Sequence, residues 1–279
     1  MSTVVKKYDS PEEYADYLVS IPTFYHISEN MCGRGWGGIS YKEGINRLNY
    51  GDTSRLEQAK AILNELDVEG LISNSMPILQ SSIAGFVPNV PNAISGHPES
   101  MFSRGYIESP NLTTPINVYV ETTVSSGVTI EQLITRGVAT LAFVLAMEVI
   151  RPVELYIIQV IDHAKRPGVY AHSVKIASRP MDLGRAVWML TDPCIARRFM
   201  FAATNHYAKV EDQTPMGPWA FNSSPTDDKY VNKVRELFDM QPEDVYLKGG
   251  YLFDNLMLTN PVQWVKNMIA KHRGDVNED

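Results

Sequence analysis

The stretch ITRGVATLAFVLAMEVIRPVELYIIQVID, residues 134–162, changes its periodicity halfway along. Up to Ile150 the apolar residues run too long and too continuously for a strand, which predicts a buried helix. Thr129 stands where an N-cap is needed, and Pro152 stops the helix just past Ile150. The largely apolar VELYIIQVID (153–162) then reads as a strand. The segment 134–150 carries Arg136 and Glu148 and is shorter than a bilayer crossing needs, so no membrane contact is expected of it.

Working outward, INVYVETTV (116–124) alternates and predicts a strand before the helix. Behind it, AKRPG (164–168) reads as a turn and VYAHSVKIA (169–177) as a further strand. Helices are expected at 182–191 and from Pro193 to Tyr207, and again at 229–239 and 261–272. Strand–helix–strand–strand–helix is the order of a split-βαβ core, which predicts an α+β fold with a mostly antiparallel sheet and helices on one face. Five short strands in barrel order are not visible, so an oligonucleotide-binding barrel is not expected. Towards the N-terminus, Ser10 and Pro11 start a helix over 11–20, and Ser40 with Glu43 has capping-box spacing for one over 40–49. TSRLEQAKAILNEL (53–66) is amphipathic, with Leu56, Ala59, Ile62, Leu63 and Leu66 on one face. Residues 74–115 are rich in Pro, Asn, Ser and Gly and read as a long irregular connection. The expected organisation is a helical, loop-rich region over 1–115, an α+β core with C-terminal helices over 116–272, and an acidic tail over 273–279.

The 279 residues are 44% hydrophobic and 20% charged, which suits a globular chain with a sizeable core. MSTVVKKYDSPEEY has no apolar secretory region, so a cytoplasmic location is expected. Two cysteines far apart, Cys32 and Cys194, exclude a disulfide framework and a Cys-rich zinc site. The net charge of −7 argues against indiscriminate polyanion binding but not against a local basic groove. Basic runs do occur at Lys165-Arg166, Arg197-Arg198 and Lys266–Arg273.

CGRGWGGISYKEGINRLNYG (32–51) contains G-x-G-x-x-G at Gly33, Gly35 and Gly38, but no strand precedes it and no βαβ unit follows. A dinucleotide site is therefore not expected, and no Walker A loop is present. No HxH or HExxH pattern occurs, and neither a metal nor a cofactor is expected.

Single-strand binding asks for aromatic faces beside cations. Three regions supply both. The first is the glycine-rich stretch, with Arg34, Trp36, Tyr41, Lys42 and Arg47; the second is the 153–177 hairpin, with Lys165, Arg166, Tyr170, His172 and Lys175. The third is ARRFMFAATNHYAK (196–209), with Arg197 and Arg198. Each has a structural reading beside the functional one: Trp36 as a core anchor wrapped by glycines, Lys165-Arg166 as a solvated turn, Phe199 and Phe201 as core. Two other functions stay open on the residues alone. One is an enzyme using Cys32 with His26, or Asp162, His163 and His172 facing one another across the 164–168 turn. The other is a virion or host-takeover interaction protein that uses the Pro-rich residues 74–115.

WGGISYKEGINRL (36–48), VPNAISGHPESMF (90–102) and ITRGVATLAFVLAMEVIRPVEL (134–155) together resemble a group of phage-encoded proteins. Within it the chain is most similar to the single-stranded-DNA-binding RNA polymerase cofactors of podoviruses that carry a virion RNA polymerase. The resemblance implies binding to locally melted DNA, recruitment of a phage RNA polymerase, no catalysis, and a place in the cytoplasm of the infected host. It assigns no binding residue. A homo-oligomer is expected because linked weak sites gain affinity through effective concentration.

Overall fold

The helix expected up to Ile150 spans Ile130–Ile150, and Thr129 caps it in both directions. The Gln132 N–H donates to Thr129 Oγ1 (3.1 Å), and the Thr129 N–H donates back to Gln132 Oε1 (2.9 Å). The computed structural model describes residues 2–26, 37–66, 78–83, 87–88, 90–105, 115–124, 127–162, 168–176, 181–209, 228–249 and 255–272.

In chain order the elements begin with β1 (Ser2–Tyr8), α1 (Pro11–Ser20), a 3-10 turn (Thr23–Tyr25), α2 (Tyr41–Tyr50) and α3 (Leu56–Glu65). The small elements β2 (Ile78–Ser82), β3 (Val87–Pro88), α4 (Val90–Ile94) and β4 (Met101–Gly105) follow. Then come β5 (Ile116–Glu121), α5 (Ile130–Ile150), β6 (Val153–Asp162), β7 (Gly168–Ile176) and α6 (Leu183–Thr191). A π-helical turn (Ile195–Phe199) leads into α7 (Met200–Ala208). The described chain closes with α8 (Asp228–Leu237), β8 (Val245–Leu247), α9 (Asn255–Thr259) and α10 (Pro261–His272).

The fold is α+β, built on an open five-stranded sheet in the order β1-β7-β6-β5-β8, and it is not a closed barrel. The sheet is mixed. Only β6 and β7 pair antiparallel; β1 with β7, β5 with β6 and β5 with β8 are parallel. The pairing thus departs from the mostly antiparallel expectation. β5, α5 and β6 form a direct crossover between neighbouring strands, and two short strands that the hydrophobic pattern does not reveal add the other parallel pairs. The Pro-rich region is also more regular than expected, since β2, β4 and β3 make a separate antiparallel sheet.

Strand alternation sorts the side chains. Val118, Val120, Leu155, Ile157, Val174 and Ile176 face the large core beneath α5. Tyr119, Ile158, Val160, Val169 and Ala171 face the other way and pack on Tyr230 and Val234 of α8 and on Phe238 just after it. Helices therefore cover both faces, and among the described helices α8 is the one that packs in the second core cluster. On the first face α5 is wrapped by α3, α6 and α10. It is the one described helix long and apolar enough to cross a membrane, yet 72% of its most apolar window is buried inside the protein.

The Ser10 and Ser40 caps form as expected, each hydroxyl accepting the N–H three residues on, at 3.1 and 3.2 Å. Glu43 pairs with Arg47 instead of closing the capping box. Gly37 and Gly44 explain part of the glycine-rich stretch. A Cβ on Gly37 would stand 2.8 Å from the Arg198 guanidinium, and one on Gly44 would meet Phe199 Cζ at 2.5 Å. These glycines let the start of α2 close over the 192–199 turn. The wrapping expected around Trp36 lies outside the described residues.

Gly137 sets the close crossing of α5 and α6. A Cβ there would lie 2.3 Å from the Leu190 carbonyl oxygen of α6, and neither backbone can yield locally. Gly137→Ala is expected to lose about 1–3 kcal/mol by overpacking, read as a lower urea midpoint. An unchanged midpoint would contradict the close α5–α6 contact.

Candidate nucleic-acid interface

The twelve residues singled out in the sequence do not form one surface. Arg34, Trp36, Lys165 and Arg166 lie outside the described residues. Tyr41 is half-buried: its hydroxyl donates to the Leu18 carbonyl (3.1 Å), and its ring stacks on His26 at 3.8 Å. Lys42 is exposed on α2. Arg47 is paired with Glu43 (2.8 Å) and with Asp52. Lys175 pairs with Glu154 at 2.9 Å and lies over the Tyr156 ring.

The other four are withdrawn into the protein, which is the main correction to the sequence reading. Tyr170 packs against Ala208, Tyr207 and Val4. His172 is fully enclosed beside Tyr14 and Met200, and burial pushes its imidazole down to about 3. Arg197 donates to the Val128 carbonyl and Arg198 Nε to the Gly37 carbonyl (3.0 Å). None of these four offers a face to a base or a charge to a phosphate. The adjacent basic pair reads as a surface patch in sequence. In the fold its guanidiniums are buried (2% and 1% exposed) and bonded to backbone carbonyls.

The groups weighed for catalysis are also dispersed. Asp162 stands opposite Val169 in the β6–β7 ladder and His172 opposite Gln159, so the two are not cross-strand partners. His163 and Cys32 lie outside the described residues. Cys194 is buried, and burial pushes its thiol up. Among the described residues no group of three or more His, Cys, Asp or Glu could hold a metal ion.

A different place gathers cations and aromatics. Beside edge strand β8 lies a cavity of about 520 Å³ between α8, β8 and α10. Among the described residues its lining carries four cationic side chains, Arg136, Arg235, Lys248 and Lys271, against one carboxylate, Asp244. Trp264 and Tyr246 supply the aromatic walls. Both Asp244 oxygens are already engaged: Oδ1 accepts from the Asn117 amide groups (3.2 and 3.0 Å) and Oδ2 from the Gln241 N–H (2.8 Å).

Each part is held by a different element. Arg136, near the start of α5, is buried and donates through Nη2 to the Leu247 (3.3 Å) and Lys248 (3.0 Å) carbonyls. Burial lowers its guanidinium to about 10, opposed by the nearby Glu121 carboxylate, so it stays charged at neutral pH. Glu121, the last residue of β5, is enclosed. Tyr230 and Tyr246 donate their hydroxyls to its two oxygens, and the Gly249 N–H donates at 3.0 Å. That network fixes the Tyr246 ring. Arg235 of α8 is tied to the carbonyls of Gln241, Pro242 and Asp244. Trp264 meets Phe143 edge-on at 6.0 Å. Lys248 and Lys271 are exposed and form the rim. His272, half-buried, is lowered to about 4 by burial and then by Lys271, so at neutral pH it is uncharged.

The sequence contained one signal for this place, the basic run Lys266–Arg273. Arg136, Arg235 and Lys248 are isolated in sequence and meet only through the fold. The cavity runs along edge strand β8, lined from Pro242 and Asp244 before it to Lys248 just after it.

Sheet and cavity together define an α+β protein with a cationic, aromatic-walled recess at its edge strand. The chain belongs to the family described as Domain of unknown function (DUF7192), matched over residues 2–249. The match takes in the whole five-stranded sheet, whereas α10, with Trp264 and Lys271, lies beyond it. No curated protein and no solved structure matches the chain.

The buried His172 carries a pH prediction. Its folded pKa is below the unfolded value of about 6.5, so the unfolded chain binds the extra proton. Its contribution is complete above that value and is lost as pH falls towards about 3. Unfolding free energy of the wild type should fall between pH 6.5 and 5, His172 contributing a slope that approaches ~1.4 kcal/mol per unit. His172→Gln should show a shallower slope in denaturant titrations across that window, whatever its absolute stability. Identical slopes would place the imidazole in water.

Proposed function

We propose that this protein binds single-stranded DNA without catalysis, through the cationic cavity beside β8, and serves as a cofactor of a phage RNA polymerase. The observation that carries the DNA-binding part is the cavity itself: four cations and two fixed aromatic side chains in one recess of a chain whose net charge is −7. Phosphates need cations at close range, and bases need flat apolar faces. The polymerase role rests on the resemblance of residues 36–48, 90–102 and 134–155. Self-association would join several such cavities along one strand and raise affinity through effective concentration.

The test is fluorescence anisotropy with a labelled single-stranded oligonucleotide at two or more salt concentrations. The double variant Lys248→Glu, Lys271→Glu should weaken binding at least ~10-fold and lower the salt slope by roughly 1.4, the share of two phosphate contacts on a single strand. Lys42→Glu, on the far helix α2, should leave both unchanged. No binding by the wild type at low salt rejects the reading. The opposite ranking of the variants would move the interface to the glycine-rich stretch.

A further inference from the structure

The cavity has a size as well as a charge. A volume of about 520 Å³ falls in the range of small-molecule pockets, roughly 300–1,000 Å³. Proteins that track an extended strand engage about 4–16 nucleotides per binding fold along a groove. The recess beside β8 cannot enclose that length. It has room for about one nucleotide.

Its polar groups are layered. Arg136 is 5% exposed and Trp264 3% exposed, so the guanidinium and the indole sit deep. Lys248 and Lys271 are out at the rim. A ligand matched to this layering puts a flat, largely apolar body against Trp264 and Tyr246 and carries more than one negative charge. An internal nucleotide supplies one charge per phosphodiester, and its chain must enter and leave the recess. A terminal nucleotide enters once, and a terminal phosphomonoester carries about −1.5 to −2 charges near neutral pH, as phosphoserine does.

We propose that the cavity lined by Arg136, Tyr246, Lys248, Trp264 and Lys271 is a nucleoside-monophosphate site that takes the phosphorylated terminal nucleotide of a single strand, or the same unit free in solution. This rests on the reading of the chain as a single-strand binder for the strand-end source, but not for the free nucleotide. Arg136 and the rim lysines meet the phosphate, and Trp264 and Tyr246 bound the base.

Four probes separate the outcomes: a linear oligonucleotide phosphorylated at the 5′ or the 3′ end, the same strand unphosphorylated, the same sequence circularised, and free dAMP. The phosphorylated linear strand should bind at least ~10-fold more tightly than the circle, and millimolar dAMP should displace it. Lys248→Glu, Lys271→Glu should abolish both effects while its circular dichroism and thermal midpoint stay those of a folded protein. If linear and circular strands bind equally and dAMP does not compete, the recess is not an end site, although single-strand binding stands. If dAMP binds and no DNA does, the nucleotide site stands and the strand-binding reading falls. If none of the probes binds, both fail.

Discussion

Burying α5 is the constraint on which the rest of the molecule depends. Residues 138–144 are buried without a break, so no polar stripe is left to face water. The helix must be covered on every side. The sheet covers one side, and α3, α6 and α10 cover the others. Gly137 lets α6 come close enough to complete that cover. α10 is thus positioned by its packing on α5, through contacts such as Trp264 on Phe143. The cavity is the space left between α10 and edge strand β8. The shape of the recess at the sheet edge is therefore set by hydrophobic burial in the sheet's interior.

Much of this was legible in the chain, and the limits have physical causes. The α5–β6–β7 run could be read because each element is long and its period clear. The caps at Ser10, Ser40 and Thr129 use short-range chemistry that sequence displays directly. β1 was hidden because STVVKKY has adjacent Val4 and Val5 among polar residues and no alternation, and it forms a strand by pairing with β7. β8 has three residues, fewer than any periodicity needs. Those two strands add two parallel pairs to a sheet that the β5–β6 crossover already makes mixed.

The candidate site was less legible because a charged residue's sequence neighbours do not report its burial. Arg197 and Arg198 look like a basic patch, yet backbone carbonyls and a glycine cradle take up their guanidiniums. Arg136 looked like an interruption of an apolar helix. It is the deep cation of the cavity, kept charged by Glu121 and by two strand carbonyls. Burying an arginine is costly unless its donors are satisfied and a counter-charge is near. Each of the three arginines donates to at least one backbone carbonyl. Arg136 also has the cavity in front of it.

The acidic balance of the chain bears on what such a cavity can select. At physiological ionic strength a charge is screened over roughly 8 Å. The carboxylates spread over the rest of the surface therefore weaken attraction at a distance more than binding within the recess. A polyanion that fits nowhere in particular meets net repulsion. One that can place a phosphate and an aromatic ring in the recess meets four cations and a single, already engaged, carboxylate. On the proposed reading, discrimination among anions would come from shape at the cavity. The same surface acidity that argues against general polyanion coating would sharpen the choice of ligand.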